Sequence, residues 1–172
     1  NQYLIDFINW PLEKAMLYKE PFKRIKELVK PVRDTNRRKV YKEKWWLFQE
    51  PQMRMREEIS KLKKYIAISR ITKYINFVFL TNEYLPSDKV VIIPTDSYSI
   101  FGLLQSKIHE IWVRNFTSSL GATFQYTHTT MYSSFPFPKK VGSIVEDIAE
   151  NLYKTRQELL YEYKIGLTEL YN

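Results

Sequence analysis

The sequence predicts an α+β fold: a small mixed or antiparallel sheet is flanked by helices, and further helices form the N- and C-terminal parts. Apolar residues recur at helical spacing toward both ends of the chain, whereas residues 65–95 are rich in β-branched and aromatic residues. With 172 residues, of which 44% are hydrophobic, the chain is expected to fold around a core rather than remain disordered.

Prolines divide the first part of the chain into short predicted helices. Residues 12–30 predict two helical pieces, with Pro21 near the start of the second, where its missing N–H costs little, and Pro31 at its end. Residues 33–44 are the most basic and least apolar part of the chain. They predict a surface loop or a frayed helical turn.

The tryptophan pair Trp45-Trp46 follows this basic run directly. Aromatic rings beside cations can stack on nucleic-acid bases. A Trp pair also buries a large apolar area, and we expect at least one of the two rings to anchor this part of the chain on a core. Residues 51–63 then predict another helix.

The middle of the chain predicts three strands and one helix. The strands are 65–72, 74–80 and 89–95, and turn-forming residues separate the last two. Residues 97–119 predict a helix that Gly121 ends as a left-handed cap. Its predicted apolar stripe consists of Ile100, Leu103, Leu104, Ile108, Ile111 and Trp112.

Residues 120–138 (LGATFQYTHTTMYSSFPFP) carry five aromatic residues and no charge. They are too polar for a core strand and too aromatic for a surface loop without a function. They predict an extended segment. Residues 141–170 predict a last helix, interrupted near Gly166. Its predicted apolar stripe consists of Ile144, Ile148, Leu152, Leu159 and Leu160.

The charge of the chain is unevenly distributed. The net charge is +8, but residues 10–73 hold 19 Lys and Arg against 8 Asp and Glu, a net of +11. A basic half joined to a mildly acidic half suggests a surface that meets phosphate. The alternative, which the charge alone leaves equally open, is a set of solvated helix faces.

Several classes of site are excluded by what the sequence lacks. There is no cysteine, which excludes disulfides and zinc-cysteine sites. The four glycines are not clustered, so neither a P-loop nor a dinucleotide-binding fingerprint is present. No catalytic Asn-Pro-Pro-aromatic motif occurs, and no stretch reaches the ~18 apolar residues of a membrane span.

Three side chains are candidates for function on their local sequence alone. His109 lies within a predicted helix, where a packed or surface role is favoured over a ligand role. His128 lies between threonines and could form a hydrogen bond to a base. Arg70 could donate two hydrogen bonds to a guanine edge or to phosphate, or it could be an edge-strand charge that discourages aggregation.

Five stretches, in this order, together resemble one family. They are DFINWPLEKA, KPVRDTNRRKVYKEKWW, SRITKYINFVFL, LLQSKIHEIWVRNFTSSLG and YTHTTMYSSFPFP. The chain resembles, from about Leu4 to Tyr171, the target recognition region of MmeI-like and related type IIG DNA adenine methyltransferases. This group comprises restriction–modification enzymes and their phage-defence relatives.

The resemblance implies a non-catalytic module of a bacterial, cytoplasmic enzyme. It implies a helical lead-in from the catalytic domain over residues 1–31, a recognition core over 32–140 and a C-terminal helical segment over 141–172. The expected partners are double-stranded DNA and the catalytic domain of the same parent chain, without a membrane. No cofactor is expected in this chain, because S-adenosylmethionine belongs to the parent's catalytic domain, which methylates adenine N6. The chain begins with Asn rather than Met, and we expect it to be a piece of a longer protein.

The resemblance also implies site residues. Many family members have Arg at the position of Gln125, so the base preference of this position does not carry over. The expected anchors of the segment are Tyr126, Tyr132 and Phe135. The expected base-reading residues are Arg70, Lys73, Thr123, Gln125, His128 and Thr129, and the expected phosphate contacts are Arg37, Arg38, Lys39, Lys42 and Lys44.

Two alternatives remain open at the level of sequence. In the first, the chain is a protein–protein interaction module whose aromatic segment docks another chain. In the second, it is a nuclease or another enzyme in its own right, which would need a metal site. Asp88 and Asp96 supply only two carboxylates for such a site, and their spacing is not typical of one.

Overall fold

The computed structural model of the chain describes residues 3–117, 119–120 and 122–172. The predicted helix cap at Gly121 lies outside the described residues. The chain divides into two compact units, Asn1–Met53 and Arg54–Asn172.

The first unit consists of short helices around a small aromatic core. Phe7, Ala15, Ile25 and Trp45 are buried in it, and the Trp46 Nε1 donates a hydrogen bond to the Trp10 carbonyl at 2.9 Å. The predicted anchoring role of the tryptophan pair is therefore confirmed. The helices are α1 (Leu12–Met16), α2 (Lys19–Leu28), α3 (Lys30–Asp34) and α4 (Lys39–Glu43).

The sequence predicted that the helical region ends at Pro31, and this prediction is wrong. Pro31 lies in the first turn of α3, where a proline lacks no helical hydrogen bond. The basic run 33–44 contains the end of α3, the non-helical residues 35–38 and the short helix α4, so it combines the predicted loop with the predicted helical turn.

The second unit contains α5 (Met53–Ser60) except for its first residue, and two antiparallel sheets of three strands each among its described residues. In the first sheet β1 (Lys64–Ser69) lies between β3 (Val78–Thr81) and β4 (Val90–Ile93). In the second, β6 (Thr123–Gln125) lies between β2 (Ile71–Thr72) and β5 (Ser119–Leu120). The predicted α+β class is confirmed, and the sheets are antiparallel rather than mixed.

The predicted helix over 97–119 is two helices, α6 (Tyr98–Gln105) and α7 (Lys107–Phe116). Ser106 separates them because its backbone is extended, with φ −70° and ψ 155°. Its hydroxyl oxygen accepts the His109 backbone N–H at 3.3 Å and so caps α7. Ser97 caps α6 in the same way, through the Ile100 N–H.

The main core of the second unit lies between the first sheet and the helices α6 and α7. Ile66 and Ile68 face Phe77, Phe101 and Leu104 on this side of β1. On the other side of the strand, Tyr65 and Ala67 pack with Ile59 of α5. All four consecutive residues of β1 from position 65 to 68 are buried, so the strand is covered on both faces.

The last helices are α8 (Ser143–Tyr163) and α9 (Leu167–Leu170), which confirms the interruption near Gly166. The predicted apolar stripe of α8 is wrong for its first three residues, whereas Leu159 and Leu160 are half-buried. Ile144 and Ile148 are 68% and 62% exposed, and Ala149 and Arg156 are buried instead. The stripe predicted for α6 and α7 is wrong in part, because Leu104 is buried but Ile108 and Ile111 are exposed.

Candidate nucleic-acid interface

Arg70 is the residue at which the chain passes from one sheet to the other. Its backbone N–H donates to the Lys89 carbonyl at 2.7 Å, and its carbonyl accepts the Tyr126 N–H at 2.8 Å. These bonds hold the bend that splits the predicted strand 65–72 into β1 and β2. The Arg70 side chain is exposed at this corner.

Gln125 lies beside this corner, at the end of β6. It pairs with Ile71 of β2, and its carbonyl accepts the Thr117 hydroxyl at 2.6 Å. The Gln125 side chain is exposed, and that of Thr123, two residues earlier on the strand, is half-buried. Since strand residues two apart share a face, the two polar side chains lie on the same side of β6.

The segment after β6 is anchored by buried aromatic and apolar side chains. Tyr126 and Met131 are buried in the main core, Tyr132 is half-buried against it, and Phe135 is buried against the rings of His109 and Trp112. The predicted anchoring role of the aromatic side chains is therefore confirmed. Between these anchors His128 and Thr129 are exposed.

The prediction that residues 120–138 are extended throughout is wrong. His128–Tyr132 form a π-helical turn, with hydrogen bonds from the Met131 N–H to the Thr127 carbonyl and from the Ser133 N–H to the His128 carbonyl, each of 2.9 Å. The turn keeps Met131 and Tyr132 on the core that Tyr126 also reaches, whereas an extended chain of this length would leave it.

His109 is buried beneath this segment. Its Nε2 lies 3.0 Å from the Tyr126 hydroxyl. Burial lowers the pKa of His109 from 6.5 to about 4, and burial likewise raises the pKa of Tyr126. Both side chains are therefore uncharged near neutral pH. The interpretation of His109 as a packed helical residue is confirmed.

Lys73 is held differently from the other predicted base-reading residues. Its Nζ donates to the Asn172 Oδ1 at 2.9 Å and lies 4.8 Å from the centre of the Tyr74 ring. The Tyr74 hydroxyl donates to the same Asn172 oxygen at 2.7 Å. Lys73 is exposed, but its ammonium group is directed to the C-terminal residue.

The five predicted phosphate contacts lie in the first unit, in and around α4. The Arg38 Nη1 donates to the Tyr41 hydroxyl at 2.9 Å, and the Lys39 Nζ lies 3.5 Å from the Glu43 carboxylate. An exposed pair of this kind contributes little to stability, so the Lys39 ammonium stays accessible to another anion. The side chains of Arg37, Arg38, Lys39, Lys42 and Lys44 are all exposed.

Two further polar side chains accompany the predicted set, and the sequence did not single them out. Lys89 is exposed and is bonded through its carbonyl to Arg70. Ser133 is exposed, and its hydroxyl lies 3.4 Å from the His128 Nδ1. The signal for Lys89 was its place as the first residue of the predicted strand 89–95. Ser133 had no signal, because only the π-helical turn brings it beside His128.

The described part of the chain offers no metal site. Within residues 3–117, 119–120 and 122–172, no group of three or more His, Asp or Glu side chains is placed to hold a metal ion. Over the same residues, no helix combines the length and hydrophobicity needed to cross a lipid bilayer.

Comparison with known proteins gives the chain its relatives. The family model described as MmeI, target recognition domain, matches residues 10–139. No curated protein matches the chain. A solved structure of the type IIL restriction–modification enzyme MmeI in complex with DNA is similar, with a TM-score of 0.62 and 21% sequence identity, over 79% of this chain and 18% of that one. The chain thus spans less than a fifth of that enzyme's length, and the likeness at this identity concerns the fold.

Because the family model covers most of the chain and includes β6 and its anchored segment, the chain belongs to the MmeI target recognition domain family.

Proposed function

We propose that the chain reads a target sequence in double-stranded DNA for a larger enzyme of a restriction–modification or phage-defence system. One observation carries the proposal. Within the family-matched residues 10–139, the exposed side chains of β6 and the π-helical turn are uncharged hydrogen-bonding groups. Buried side chains of the same segment pack it onto the core. The exposed hydrogen-bonding groups can distinguish bases, because each base pair presents a different pattern of donors and acceptors in the major groove.

Gln125 is the first candidate for a direct base contact. Its carboxamide can donate to N7 and accept from N6 of one adenine, which gives a bidentate contact. The backbone beneath it is held by β2 on one side and by the Thr117 hydroxyl. A reading side chain on a fixed backbone loses less freedom on binding than one on a mobile loop.

Arg70 is the second candidate, for a guanine edge or for phosphate. Its guanidinium is exposed at the corner next to Gln125, and its planar fork matches either partner. The supporting positions are Thr123 on the same face of β6 and the exposed His128 and Thr129 beyond it. Lys73 would have to leave Asn172 before it could contact a base.

The basic side chains around α4 would supply the phosphate contacts. Arg37, Arg38, Lys39, Lys42 and Lys44 are exposed and would release condensed counterions from DNA on binding. Phosphate contacts position a protein on the duplex without reading its sequence.

The parent enzyme belongs to the same proposal. Its catalytic domain would bind S-adenosylmethionine and transfer the methyl group to adenine N6, in the bacterial cytoplasm, while this chain selects the site. The solved relative is an MmeI enzyme with DNA, and this chain corresponds to 18% of it. A test in the parent organism is to map methylated adenines across its genome and compare their context with the sequence that this chain selects.

The direct experiment is a selection from a randomised duplex pool at low and moderate salt. An enriched motif with a steep salt dependence would support the proposal and identify the target. Salt-dependent binding without a motif would mean that specificity requires the catalytic domain, which holds the flipped adenine. An absence of binding at low salt would contradict the proposal.

Two variants with matched controls separate reading from positioning. Gln125→Ala should lower discrimination at one base pair by roughly 1–3 kcal/mol and leave affinity for unrelated duplexes unchanged. The exposed Gln157→Ala, outside the family match, is its control. Arg38→Ala should weaken binding to all duplexes alike and reduce the salt slope by about 1. The exposed Lys26→Ala, which also removes one positive charge, should not.

The protein–protein alternative now rests on a different surface. The aromatic side chains on which it depended, Tyr126 and Phe135, are buried and cannot dock another chain. An exposed apolar row on α8, formed by Ile144, Ile148 and Leu152, is the observation that favours it. Charged substitutions in that row that left DNA selection intact but abolished assembly of the parent enzyme would support such a role.

A further inference from the structure

His109 contacts both ends of the segment that follows β6. Its Nε2 lies 3.0 Å from the Tyr126 hydroxyl, at the start of the segment. Its ring meets the Phe135 ring edge to face, with centroids 4.6 Å apart, at the end of the segment. Residues 127–134 between these two contacts are here called the recognition loop.

The recognition loop is held to the core within its length as well as at its ends. Met131 is buried and Tyr132 is half-buried against the main core, and the loop is also bonded to itself through the π-helical turn and through Ser133 and His128. His128 and Thr129 lie near its start and are exposed. Because they follow Tyr126 within three residues, their direction depends on how this end of the loop is held.

We propose that His109 is a positioning residue for base reading, because it fixes the start and the end of the recognition loop and thereby orients His128 and Thr129. This inference deepens the proposed function and rests on it. His109 does not touch DNA in this arrangement, since its side chain is fully buried.

The hydrogen bonding of His109 carries a free-energy cost, and this cost supports a role for His109 beyond packing. The His109 Nδ1 is buried and has no hydrogen-bond partner among the described residues. A buried polar atom without a partner destabilises a fold, a cost that apolar side chains at both position 109 and position 126 would avoid. What the imidazole adds is a directed hydrogen bond, and directed buried polar contacts favour one conformation over its neighbours.

The contacts of the ring restrict its orientation further. The centre of the Phe77 ring lies 5.8 Å from that of the imidazole, and the centre of the Phe135 ring lies 4.6 Å from it. The imidazole thus contacts two neutral aromatic rings while its Nε2 lies beside the Tyr126 hydroxyl. The hydroxyl donates when Nε2 carries no proton and accepts in the other tautomer, and the link exists in either case.

The test removes the link with the smallest possible change, Tyr126→Phe, in the full 172-residue chain. The matched control is Tyr65→Phe, which also removes a buried tyrosine hydroxyl, the one that donates to the Tyr84 carbonyl at 2.9 Å. Tyr65 lies against α5 in a different cluster from the recognition loop. A third variant, His109→Phe, removes the hydrogen bond from the other partner and keeps an aromatic ring.

The first measurement is amide hydrogen exchange of the recognition loop without DNA. Tyr126→Phe and His109→Phe should each speed exchange of the loop amides by about fivefold relative to β1 amides, the factor that corresponds to about 1 kcal/mol for one hydrogen bond. Combining them should add nothing further. Tyr65→Phe should leave the loop at the wild-type rate, and equal effects of all variants would refute the inference.

The second measurement is the ratio of affinities for the selected and an unrelated duplex. Tyr126→Phe and His109→Phe should lower this ratio about fivefold at an unchanged salt slope, because the phosphate contacts are intact. An unchanged ratio would overturn the inference while the proposed function stood. A wild-type chain that binds no DNA would overturn the proposed function, and with it the role in base reading, whatever the exchange rates.

Discussion

The buried imidazole of His109 should make the second unit less stable in mild acid. Its pKa is lowered to about 4 in the folded chain, against 6.5 in the unfolded chain, because the side chain is buried. The unfolded state therefore binds the proton more readily. The stabilisation is fully present above the unfolded pKa and is lost as the pH falls from about 6.5 toward about 4.

The size of the effect follows from the two pKa values. Linkage between protonation and folding gives a loss of about 2 kcal/mol between about pH 7 and about pH 5. The neighbours do not offset this loss, since Phe77 and Phe135 carry no charge and the raised pKa of Tyr126 keeps it neutral. A loss of this size is a large part of the 5–15 kcal/mol that typically separates folded from unfolded domains.

The assay is urea unfolding at the two pH values, followed through the indole N–H resonance of Trp112. Trp10, Trp45 and Trp46 belong to the first unit, so Trp112 reports on the second. His109→Gln should remove about 2 kcal/mol of the pH dependence. His128→Gln is the control, because it removes the other histidine of the chain from an exposed position.

The difference between variants separates the contribution of His109 to the pH dependence of stability from the contribution of the carboxylates. Glu110 also contributes, since its hydrogen bond from Lys107 and its pairing with Arg114 lower its pKa and add stability that is lost in acid. That contribution is common to all the variants and cancels in the difference. If His109→Gln kept the full pH dependence of the wild-type chain, the buried neutral imidazole would be the wrong explanation.

Three further substitutions test the packing of the second unit by urea unfolding. Gly102→Ala should destabilise by about 1–3 kcal/mol, because a Cβ there would lie 2.8 Å from the Ala149 Cβ, and a gain would mean that α8 can shift away. Phe77→Ala should cost about 3–5 kcal/mol, since its ring is fully buried; a cost below about 1 kcal/mol would contradict the core assignment. Ser106→Ala should cost about 1 kcal/mol through the lost cap of α7, and an unchanged midpoint would show that the cap is dispensable.

Local patterns predicted the fold class well and the breaks in its elements poorly. The period change at residues 65–95 was enough to place the first sheet, but it did not predict β5 and β6 of the second. The division of the strand 65–72 at Arg70 was not foreseeable, because it depends on the hydrogen bonds of Arg70 to Lys89 and Tyr126, which are distant in sequence. The break at Ser106 was in reach, since serine is a favoured helix N-cap.

The same contrast between local patterns and contacts distant in sequence holds for the candidate site. The family resemblance implied that aromatic side chains of residues 120–138 anchor the segment, and Tyr126 and Phe135 are buried as this requires. Composition could not predict that His109, on another element, would hold both of these anchors. The roles of the individual base-reading and phosphate residues stay predictions, because they depend on a DNA partner.

The failed stripe of α8 has a physical cause in the backbone of residues 75–77. This irregular link between β2 and β3 lies inside the second unit, and its polar groups need partners there. The Gln105 side chain accepts from the Phe77 N–H and donates to the Ile75 carbonyl, and the Arg156 Nη2 donates to the Phe77 carbonyl.

Arg156 therefore has to face inward, although its residue type predicts the surface. Its guanidinium lies over the Phe101 and Tyr153 rings, at 5.3 and 5.6 Å from their centres, which lowers the cost of burying the charge. With Arg156 and Ala149 on the buried face, Ile144 and Ile148 are turned outward by helix geometry alone. Hydropathy fails here because the buried face of α8 includes a charged side chain that bonds a backbone carbonyl, beside the small Ala149 and the partly buried Tyr153. The same bond also fixes the link to β2, the strand on which β6 and Gln125 are aligned.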